Sequence, residues 1–281
     1  MKKFLSPHSQ NELQEIIIRN KNKNIVFLAG GTDLLVKKTE YDQADIIIDL
    51  LNVQELNKIE LANDKLVIGS TVNIRKIITD EQIKEYFPLL IEAGTWLGSP
   101  QIKNRATIGG NFANASPAGD TIPALYVAKA RVTFFSANKN SIRSIPLRQF
   151  FQGPCNTILD NGDYILNFEI PAEEIKEYKY AFKKVGQRNA LAISKLSVAC
   201  LYQNNLNKLS DIRFAVGSVA PTVIRLVKTE NQLIKSNPPF DYDKISKIVE
   251  TELKPITDVR STAEYRKKIT AKLVIQIIKS I

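Results

Sequence analysis

Apolar positions near the N-terminus follow the spacing of a helix and then that of buried strands. Apolar residues at helical spacing predict a helix over residues 9–20, which Ser9 and Glu12 begin as a capping box. Continuous apolar runs follow at residues 25–29 and 46–48, as in strands that are buried on both faces. The two runs and the connection between them predict a small β–α–β layer with parallel strands.

The middle of the chain predicts a hairpin, helices and one long loop. Alternating apolar residues on either side of Asn63 and Asp64 indicate two antiparallel strands joined by a turn. Thr71 is expected to cap a short helix, and a longer helix is predicted over residues 88–97. Residues 107–120 are small or polar and lack periodicity, which predicts a functional loop.

A change of pattern after two further predicted strands, at residues 132–135 and 164–170, suggests a domain boundary. The next stretch is polar and acidic and begins at Pro171, which is typical of a linker. We therefore expect one domain over residues 1–173 and a second over residues 174–281.

The second domain is predicted to have an α+β fold, with strands first and helices after them. The expected sheet has three strands, at residues 178–185, 193–201 and 212–219, and Asn204 and Asn205 hinge the last two. Two helices are expected after the sheet, one around residues 245–253 and a last one that begins at a capping box of Ser261 and Glu264.

Composition excludes several classes of protein. The longest apolar runs fall far short of the ~18 residues that span a membrane, and the N-terminus lacks the apolar region of a signal peptide. Cys155 and Cys200 are too few for a disulfide framework, so a reducing compartment, the cytoplasm, is expected. His8 is the single histidine, which argues against a zinc site or a histidine-based triad. A cofactor is therefore expected to supply any chemistry.

The 281-residue chain carries a net charge of +10, and the lysines are spread along its whole length. A basic nucleic-acid-binding protein is therefore one alternative, but the even spread and the lack of interleaved aromatic residues disfavour it.

Two diglycine segments stand out, at residues 28–34 and 106–111. Tandem glycines allow positive φ and let a ligand approach the bare backbone, where successive N–H groups bind anions. Neither segment has the spacing of a Rossmann fingerprint or a P-loop. From the residues alone, the segments are either simple turns or the binding loops of a phosphate-bearing cofactor.

The strings AGGTDLL at residues 29–35 and ATIGGNFANASPAGD at residues 106–120 resemble the two FAD diphosphate loops of the molybdenum hydroxylase flavoproteins. This family includes the FAD-binding (medium) subunits of xanthine dehydrogenase, carbon monoxide dehydrogenase and nicotinate dehydrogenase. Further similarity lies in GSPQIKNR (98–105), FKKV (182–185), GSVAPTVIR (217–225) and EYR (264–266), so that the resemblance extends over essentially the whole chain.

The resemblance implies a fold and a cofactor. The fold is a vanillyl-alcohol-oxidase (PCMH)-type FAD-binding domain with two lobes, about residues 1–55 and 56–173, followed by the family's small α+β C-terminal domain. FAD would lie extended between the lobes.

The resemblance also implies which residues bind FAD. They are Val26, Phe27, Leu28, Ala29, Gly30, Gly31, Thr32 and Asp33 in the first loop, Thr107, Ile108, Gly109, Gly110 and Asn111 in the second, and, from similarity at single positions, Leu97, Asp120, Leu166 and Lys183.

The same resemblance implies partners and an activity. Substrate would be oxidised at a large molybdopterin subunit, and electrons would pass through a small 2Fe-2S subunit to this FAD and then to NAD or another acceptor.

Two cysteines cannot supply the four thiolates of the iron–sulfur cluster that one member of the family carries in this subunit. Non-covalent FAD is expected, because His8 is the one histidine available for attachment. A free-standing FAD-dependent oxidase of the same fold is the alternative function. No nucleic-acid or membrane partner is expected.

Overall fold

The computed structural model describes residues 2–188, 191–205, 208–236 and 238–281. The strands are β1 (Lys3–Leu5), β2 (Ile25–Leu28), β3 (Ile46–Asp49), β4 (Ile59–Ala62), β5 (Lys65–Gly69), β6 (Arg131–Ser136), β7 (Ser141–Pro146), β8 (Phe151–Gly153), β9 (Asn156–Thr157), β10 (Tyr164–Ile170), β11 (Lys179–Val185), β12 (Leu196–Asn205), β13 (Lys208–Gly217) and β14 (Ile224–Arg225). The α-helices are α1 (Gln10–Arg19), α2 (Leu34–Lys37), α3 (Thr39–Gln43), α4 (Ile74–Ile77), α5 (Glu81–Tyr86), α6 (Pro88–Thr95), α7 (Pro100–Arg105), α8 (Ile108–Ala113), α9 (Thr121–Val127), α10 (Ala172–Ile175), α11 (Val227–Lys235), α12 (Tyr242–Glu252) and α13 (Ala263–Lys279). Short 3-10 helices span Gln54–Asn57 and Leu147–Gln149.

The N-terminal segment forms the predicted parallel layer. Strands β2 and β3 pair in parallel, with Ile25 opposite Ile46. Helix α1 begins as predicted at Ser9, whose side chain accepts a hydrogen bond from the N–H of Glu12. Strand β1, which the sequence pattern did not predict, adds a third parallel strand on the other side of β3.

A five-stranded antiparallel sheet follows, in the order β4-β5-β10-β6-β7. The predicted hairpin is β4 and β5, and the residues of its turn, Asn63 and Asp64, both have positive φ, of 50° and 62°. Asn and Asp tolerate this region because their short polar side chains bond locally. The predicted strands at residues 132–135 and 164–170 are β6 and β10.

Two predictions in the middle of the chain are wrong. Asn73, not Thr71, caps helix α4, because the Asn73 side chain reaches the N–H of Lys76. Residues 107–120 are not one long loop, since helix α8 begins directly after Thr107 and carries both glycines of the second pair. Glycine lowers helix propensity, so the pattern of residues indicates a loop. Packing of Gly109 against Ser70, in another segment of the same chain, decides otherwise.

The C-terminal sheet has four strands, β11-β12-β13-β14, rather than the predicted three. The additional strand has only two residues, too few for any periodicity. Asn204 and Asn205 still lie within β12, and the two residues after them lie outside the described part of the chain. The cap of α13 is Thr262, whose hydroxyl accepts from the N–H of Tyr265, rather than Ser261.

Apolar cores fill the space between these layers. One core lies between the C-terminal sheet and helices α11, α12 and α13, and a second surrounds the antiparallel sheet. Phe182, Ala199 and Leu201 of the C-terminal sheet belong to this second core, so the two parts of the chain pack directly on each other. Among the described residues, no helix has the length and apolar character needed to cross a membrane.

Candidate functional site

A cleft of about 850 Å³ lies where the parallel sheet meets the antiparallel sheet. Its volume is within the range of about 300–1,000 Å³ that is usual for cofactor sites. Its walls come from the loop after β2, from Ser70 and Thr71 after β5, from the start of α8, and from Tyr164 and Ile165 at the start of β10. Ile193, which lies between strands β11 and β12 of the C-terminal sheet, also lines it. Several distant segments of the chain therefore build one site.

The first diglycine loop presents unpaired backbone donors to this cleft. Gly31 has a φ of +70°, a region that glycine adopts without steric strain. The backbone N–H groups of residues 30–33 donate no hydrogen bond to any residue in the described ranges. Successive unpaired N–H groups of this kind form an anion-binding nest. The loop is therefore built to receive a negatively charged group.

A cation lies at the end of the first loop. Lys37 Nζ is 2.8 Å from Asp33 Oδ2 and 3.2 Å from Asn114 Oδ1. The hydrogen bond that Lys37 donates to Asp33 raises the pKa of Lys37 above its ordinary value, against the opposing effect of partial burial. Lys37 therefore stays charged at neutral pH and lies in an ion pair with Asp33 at this end of the cleft.

The second diglycine segment is the first turn of a capped helix. Thr107 precedes α8, and its Oγ1 accepts a hydrogen bond from the N–H of Gly110 at 3.1 Å. The N–H of Gly109 donates to the carbonyl of Ser70 at 2.9 Å. Gly110 is exposed, and a Cβ added there would meet only Thr107 Oγ1, at 3.0 Å. The backbone of Gly110 is thus open to a ligand in the cleft.

One glycine of each pair packs against backbone, and the other serves the cleft. A Cβ on Gly30 would lie 2.1 Å from the carbonyl oxygen of Arg105, and one on Gly109 would lie 2.6 Å from the backbone and side chain of Ser70. Real Cβ atoms do not approach other atoms so closely, so these two positions require glycine for packing. Gly31 and Gly110 are left to form the turn and the open surface. This division explains why both loops carry two glycines.

The residues of the cleft fit FAD. Unpaired N–H groups and a lysine suit the diphosphate, and the absence of a side chain at Gly110 leaves room for it. Leu97, Ile102 and Ile165 line the same cleft and offer an apolar surface for a ring system. A site with a few polar groups on largely apolar walls is typical of cofactor binding.

The structure divides the residues predicted to bind FAD into two groups. Those that line the cleft are Phe27, Ala29, Gly30, Gly31, Thr32, Asp33, Leu97, Thr107, Gly109, Gly110 and Asn111, and those outside its lining are Val26, Leu28, Ile108, Asp120, Leu166 and Lys183. Alternation along β2 explains part of this division, because Phe27 and Ala29 share one side of the chain and Val26 and Leu28 the other. Contact between any of these residues and FAD remains a prediction.

The buried cation near the cleft is Lys184, not Lys183. Lys183 is exposed, whereas the Lys184 side chain is 4% exposed and its Nζ lies 2.6 Å from Asp120 Oδ2. Lys184 also donates to the carbonyl of Trp96, next to Leu97 in the chain. Adjacent residues of a strand point to opposite faces, so only the register of β11 decides which lysine is buried.

Asp120 joins the two parts of the chain at this point. Its carboxylate accepts a hydrogen bond from Lys184 and another, at 2.5 Å, from the hydroxyl of Ser194. Ser194 follows Ile193 and lies just before strand β12. Burial raises the pKa of Asp120, and the charge and hydrogen bond of Lys184 oppose this effect. The pair is therefore a buried contact beside the cleft, between the segment before α9 and the C-terminal sheet.

Other cleft residues were not predicted from the sequence, among them Ser70, Thr71, Asp163 and Tyr164. Burial raises the pKa of Tyr164 to about 12, against a hydrogen bond from Gln14, so Tyr164 stays protonated at neutral pH. The only sequence signal for Ser70 and Thr71 is that two hydroxyl residues directly follow a strand. This signal does not distinguish a binding site from an ordinary turn, because serine and threonine are common in turns that follow strands.

Comparisons with known proteins identify the family. The family described as "FAD binding domain in molybdopterin dehydrogenase" matches residues 1–173, and the "CO dehydrogenase flavoprotein C-terminal domain" matches residues 180–281. The glyceraldehyde dehydrogenase medium chain of Sulfolobus acidocaldarius is 30% identical, over 92% of each chain. The xanthine dehydrogenase FAD-binding subunit of Escherichia coli O157:H7 is 29% identical, over 94% of this chain and 91% of its own.

The fold has a close counterpart among solved structures. Carbon monoxide dehydrogenase from Hydrogenophaga pseudoflava aligns with a TM-score of 0.89 at 24% identity, over 97% of this chain and 94% of that chain. This likeness confirms the expected α+β fold, with an FAD-binding domain followed by a smaller C-terminal domain. The chain therefore belongs to the family of FAD-binding subunits of the molybdenum hydroxylases, and it is an oxidoreductase flavoprotein whose cofactor is FAD.

Proposed function

We propose that this chain is the electron-transfer subunit of a molybdenum-containing hydroxylase of the xanthine dehydrogenase type. When bound, FAD supplies the redox chemistry, taking electrons from a small 2Fe-2S subunit and passing them to NAD or another acceptor. Substrate oxidation belongs to a large molybdopterin subunit. The observation that carries this proposal is the cleft between the two diglycine loops, with its unpaired N–H groups and open glycine backbone.

In this proposal the residues of the cleft divide the binding of FAD among them. Residues 30–33 hold the diphosphate through their unpaired backbone N–H groups, and the bare backbone of Gly110 leaves room for it. Leu97 and Ile165 exclude water from the ring system. Binding is non-covalent, which is supported by the position of His8, exposed before α1 and outside the lining of the cleft.

We further propose a division into domains of residues 1–173 and 174–281, the first with lobes of about residues 1–55 and 56–173. The sheets support it, because the parallel sheet, the antiparallel sheet and the C-terminal sheet fall within these three ranges in turn. The subunit role is supported by relatives named as medium chains or FAD-binding subunits. A cytoplasmic location is part of the proposal and rests on the free cysteines Cys155 and Cys200.

The first test is the visible absorption spectrum of the purified full-length chain before and after addition of FAD. We expect the absorption bands of oxidised flavin and one FAD per chain. A colourless protein that takes up no added FAD would defeat both the electron-transfer proposal and the alternative of a free-standing oxidase. If the chain binds FAD, co-purification from the native host would identify the companion subunits.

The second test separates the two flavoprotein alternatives by product analysis. The chain with FAD alone is expected to yield no hydroxylated product from purines or nicotinate, and product is expected once molybdenum and iron–sulfur subunits are added. The reason is that attack on a ring carbon needs an activated water, and the single histidine, His8, is exposed and outside the cleft lining. Multiple turnovers by the chain and FAD alone would overturn the subunit proposal in favour of the oxidase.

A further inference from the structure

Two residues that line the cleft carry buried hydroxyl groups without a described hydrogen-bond partner. Ser70 is 4% exposed and Thr71 is 3% exposed, and both line the cleft. Within the described part of the chain, neither Ser70 Oγ nor Thr71 Oγ1 has a hydrogen-bond partner. Buried polar groups in native proteins are almost always paired, and an unpaired one calls for a ligand, an ion or a water to complete it.

Three main-chain hydrogen bonds hold these two residues in place. The N–H of Ser70 donates to the carbonyl of Leu166, and the N–H of Thr71 donates to the carbonyl of Leu56, both at 2.9 Å. The carbonyl of Ser70 accepts from the N–H of Gly109, also at 2.9 Å. The backbone therefore has no spare bonding capacity at these donors, and the unpaired hydroxyls belong to a rigid segment.

The position of Ser70 points to one part of the cofactor. A Cβ on Gly109 would come within 2.6 Å of Ser70 Cβ, so Ser70 lies directly against the second diglycine segment. On the proposed function, this segment holds the diphosphate. A hydroxyl group donates to oxygen acceptors, and the hydroxyls of the ribityl chain and the oxygens of the diphosphate are such acceptors.

We infer that Ser70 and Thr71 form a hydroxyl subsite that donates hydrogen bonds to the ribityl–diphosphate chain of FAD. This inference rests on the proposed function, since it takes FAD to occupy this cleft. It adds two residues to those expected from the family resemblance, and it explains why two polar side chains are buried where no part of the described chain pairs with them.

The test is a titration of the FAD-free full chain with FAD, in the Ser70→Ala and Thr71→Val variants. Each is expected to weaken FAD binding about two- to tenfold, the usual effect of one hydrogen bond. The melting temperature of the FAD-free chain should stay the same or rise, because the variant removes an unpaired buried hydroxyl. A hydroxyl with a merely structural role would give the opposite pattern, with a lower melting temperature and unchanged FAD affinity, which would overturn the inference.

Two control variants make the test specific. Ser197 also has a buried hydroxyl without a described partner, but it lies outside the lining of the cleft, so Ser197→Ala should leave FAD affinity unchanged. Thr71→Ser keeps the hydroxyl and should bind FAD nearly as the parent chain does. Equal weakening by Ser197→Ala, or by Thr71→Ser and Thr71→Val alike, would count against the subsite.

The parent chain distinguishes failure of this inference from failure of the proposed function. If the parent chain binds FAD and the Ser70 and Thr71 variants bind it equally well, only the subsite is refuted. If the parent chain itself binds no FAD, the proposed function fails and the subsite with it.

Discussion

At the scale of single residues, the contact between Asp120 and Lys184 depends most on exact placement. Both side chains are less than a tenth exposed, and Asp120 accepts from Lys184 and from Ser194. A buried charge is tolerated when it is paired, and removal of one partner leaves the other uncompensated. The neighbouring Lys183, one position away in the same strand, is exposed and offers a matched comparison.

The first prediction compares these adjacent lysines. Lys184→Ala should lower the free energy of unfolding by about 3–5 kcal/mol, because Asp120 loses its counter-charge in a buried setting. Lys183→Ala should change it by no more than about 0.5 kcal/mol, as is usual for an exposed position. Denaturant unfolding of both variants measures the difference. A larger loss for Lys183→Ala than for Lys184→Ala would show that β11 has the other register, and equal losses would contradict a stabilising Asp120–Lys184 pair.

At the scale of elements, the site depends on the packing of the first diglycine loop against the end of α7. Gly30 lies on the carbonyl of Arg105, and Ala106 links α7 to the Thr107 cap of α8. The two loops are thus one structural unit, although more than seventy positions separate them in the sequence. A Cβ added at Gly110, by contrast, would meet only the hydroxyl of Thr107, the cap of the same helix.

The second prediction separates packing from ligand approach. Gly110→Ala should leave the free energy of unfolding of the FAD-free chain within about 1 kcal/mol of the parent, because alanine improves helix propensity, while FAD binding weakens as the Cβ occupies the open surface.

Gly30→Ala should reduce both stability and FAD binding, because its Cβ collides with the Arg105 carbonyl. Thermal denaturation and FAD titration of the two variants provide the measurement. Unchanged FAD affinity in Gly110→Ala would mean that the second glycine pair is a structural turn alone.

At the scale of the whole molecule, a charged cluster joins the C-terminal sheet to the rest of the chain. Arg213 of β13 is 3% exposed and lies 2.7 Å from Glu174 and 2.8 Å from Asp211. Tyr178 donates to Asp211 at 2.7 Å and lies beneath the guanidinium of Arg213. Partial burial favours the neutral carboxyl, but hydrogen bonds and the charge of Arg213 outweigh it and lower the pKa of Glu174 and of Asp211.

The third prediction concerns the pH dependence of this junction. A carboxyl group whose pKa is lower in the folded chain than in the unfolded chain stabilises the fold when it is ionised. This stabilisation is complete at pH values above the pKa of the unfolded chain, and it is lost as the pH falls. Glu174→Gln should therefore lower the melting temperature at pH 7, by an amount that corresponds to no more than about 1 kcal/mol for a half-exposed group. The difference from the parent should shrink below about pH 4.

Glu173→Gln is the matched control, since within the described ranges Glu173 forms an ion pair only with the nearby Lys176, at the surface. It should have a smaller effect on the melting temperature at pH 7. A Glu174→Gln difference that grows on acidification would contradict the assigned direction of the pKa shift.

Local patterns predicted the elements that rest on short-range rules. The capped helix α1, the hairpin of β4 and β5, and the strands β6 and β10 follow from periodicity and turn residues. Strand β14 escaped prediction because two residues carry no periodicity. The sequence predicts a loop where helix α8 lies, because its two glycines lower helix propensity. The close packing of Gly109 on Ser70 explains why this position of the helix is a glycine.

The sequence by itself determined the parallel layer, the α+β character of the second domain and the positions of the two diglycine segments, because alternation, capping residues and tandem glycines act over a few neighbouring positions. The FAD-binding fold was expected from the family resemblance. Only the tertiary structure decided that Gly30 and Gly109 serve packing, that Lys184 is the buried lysine, and that Ser70 and Thr71 line one cleft. These facts depend on strand register and on contacts between segments far apart in the chain. Such contacts arise from the packing of whole sheets, which no local pattern specifies.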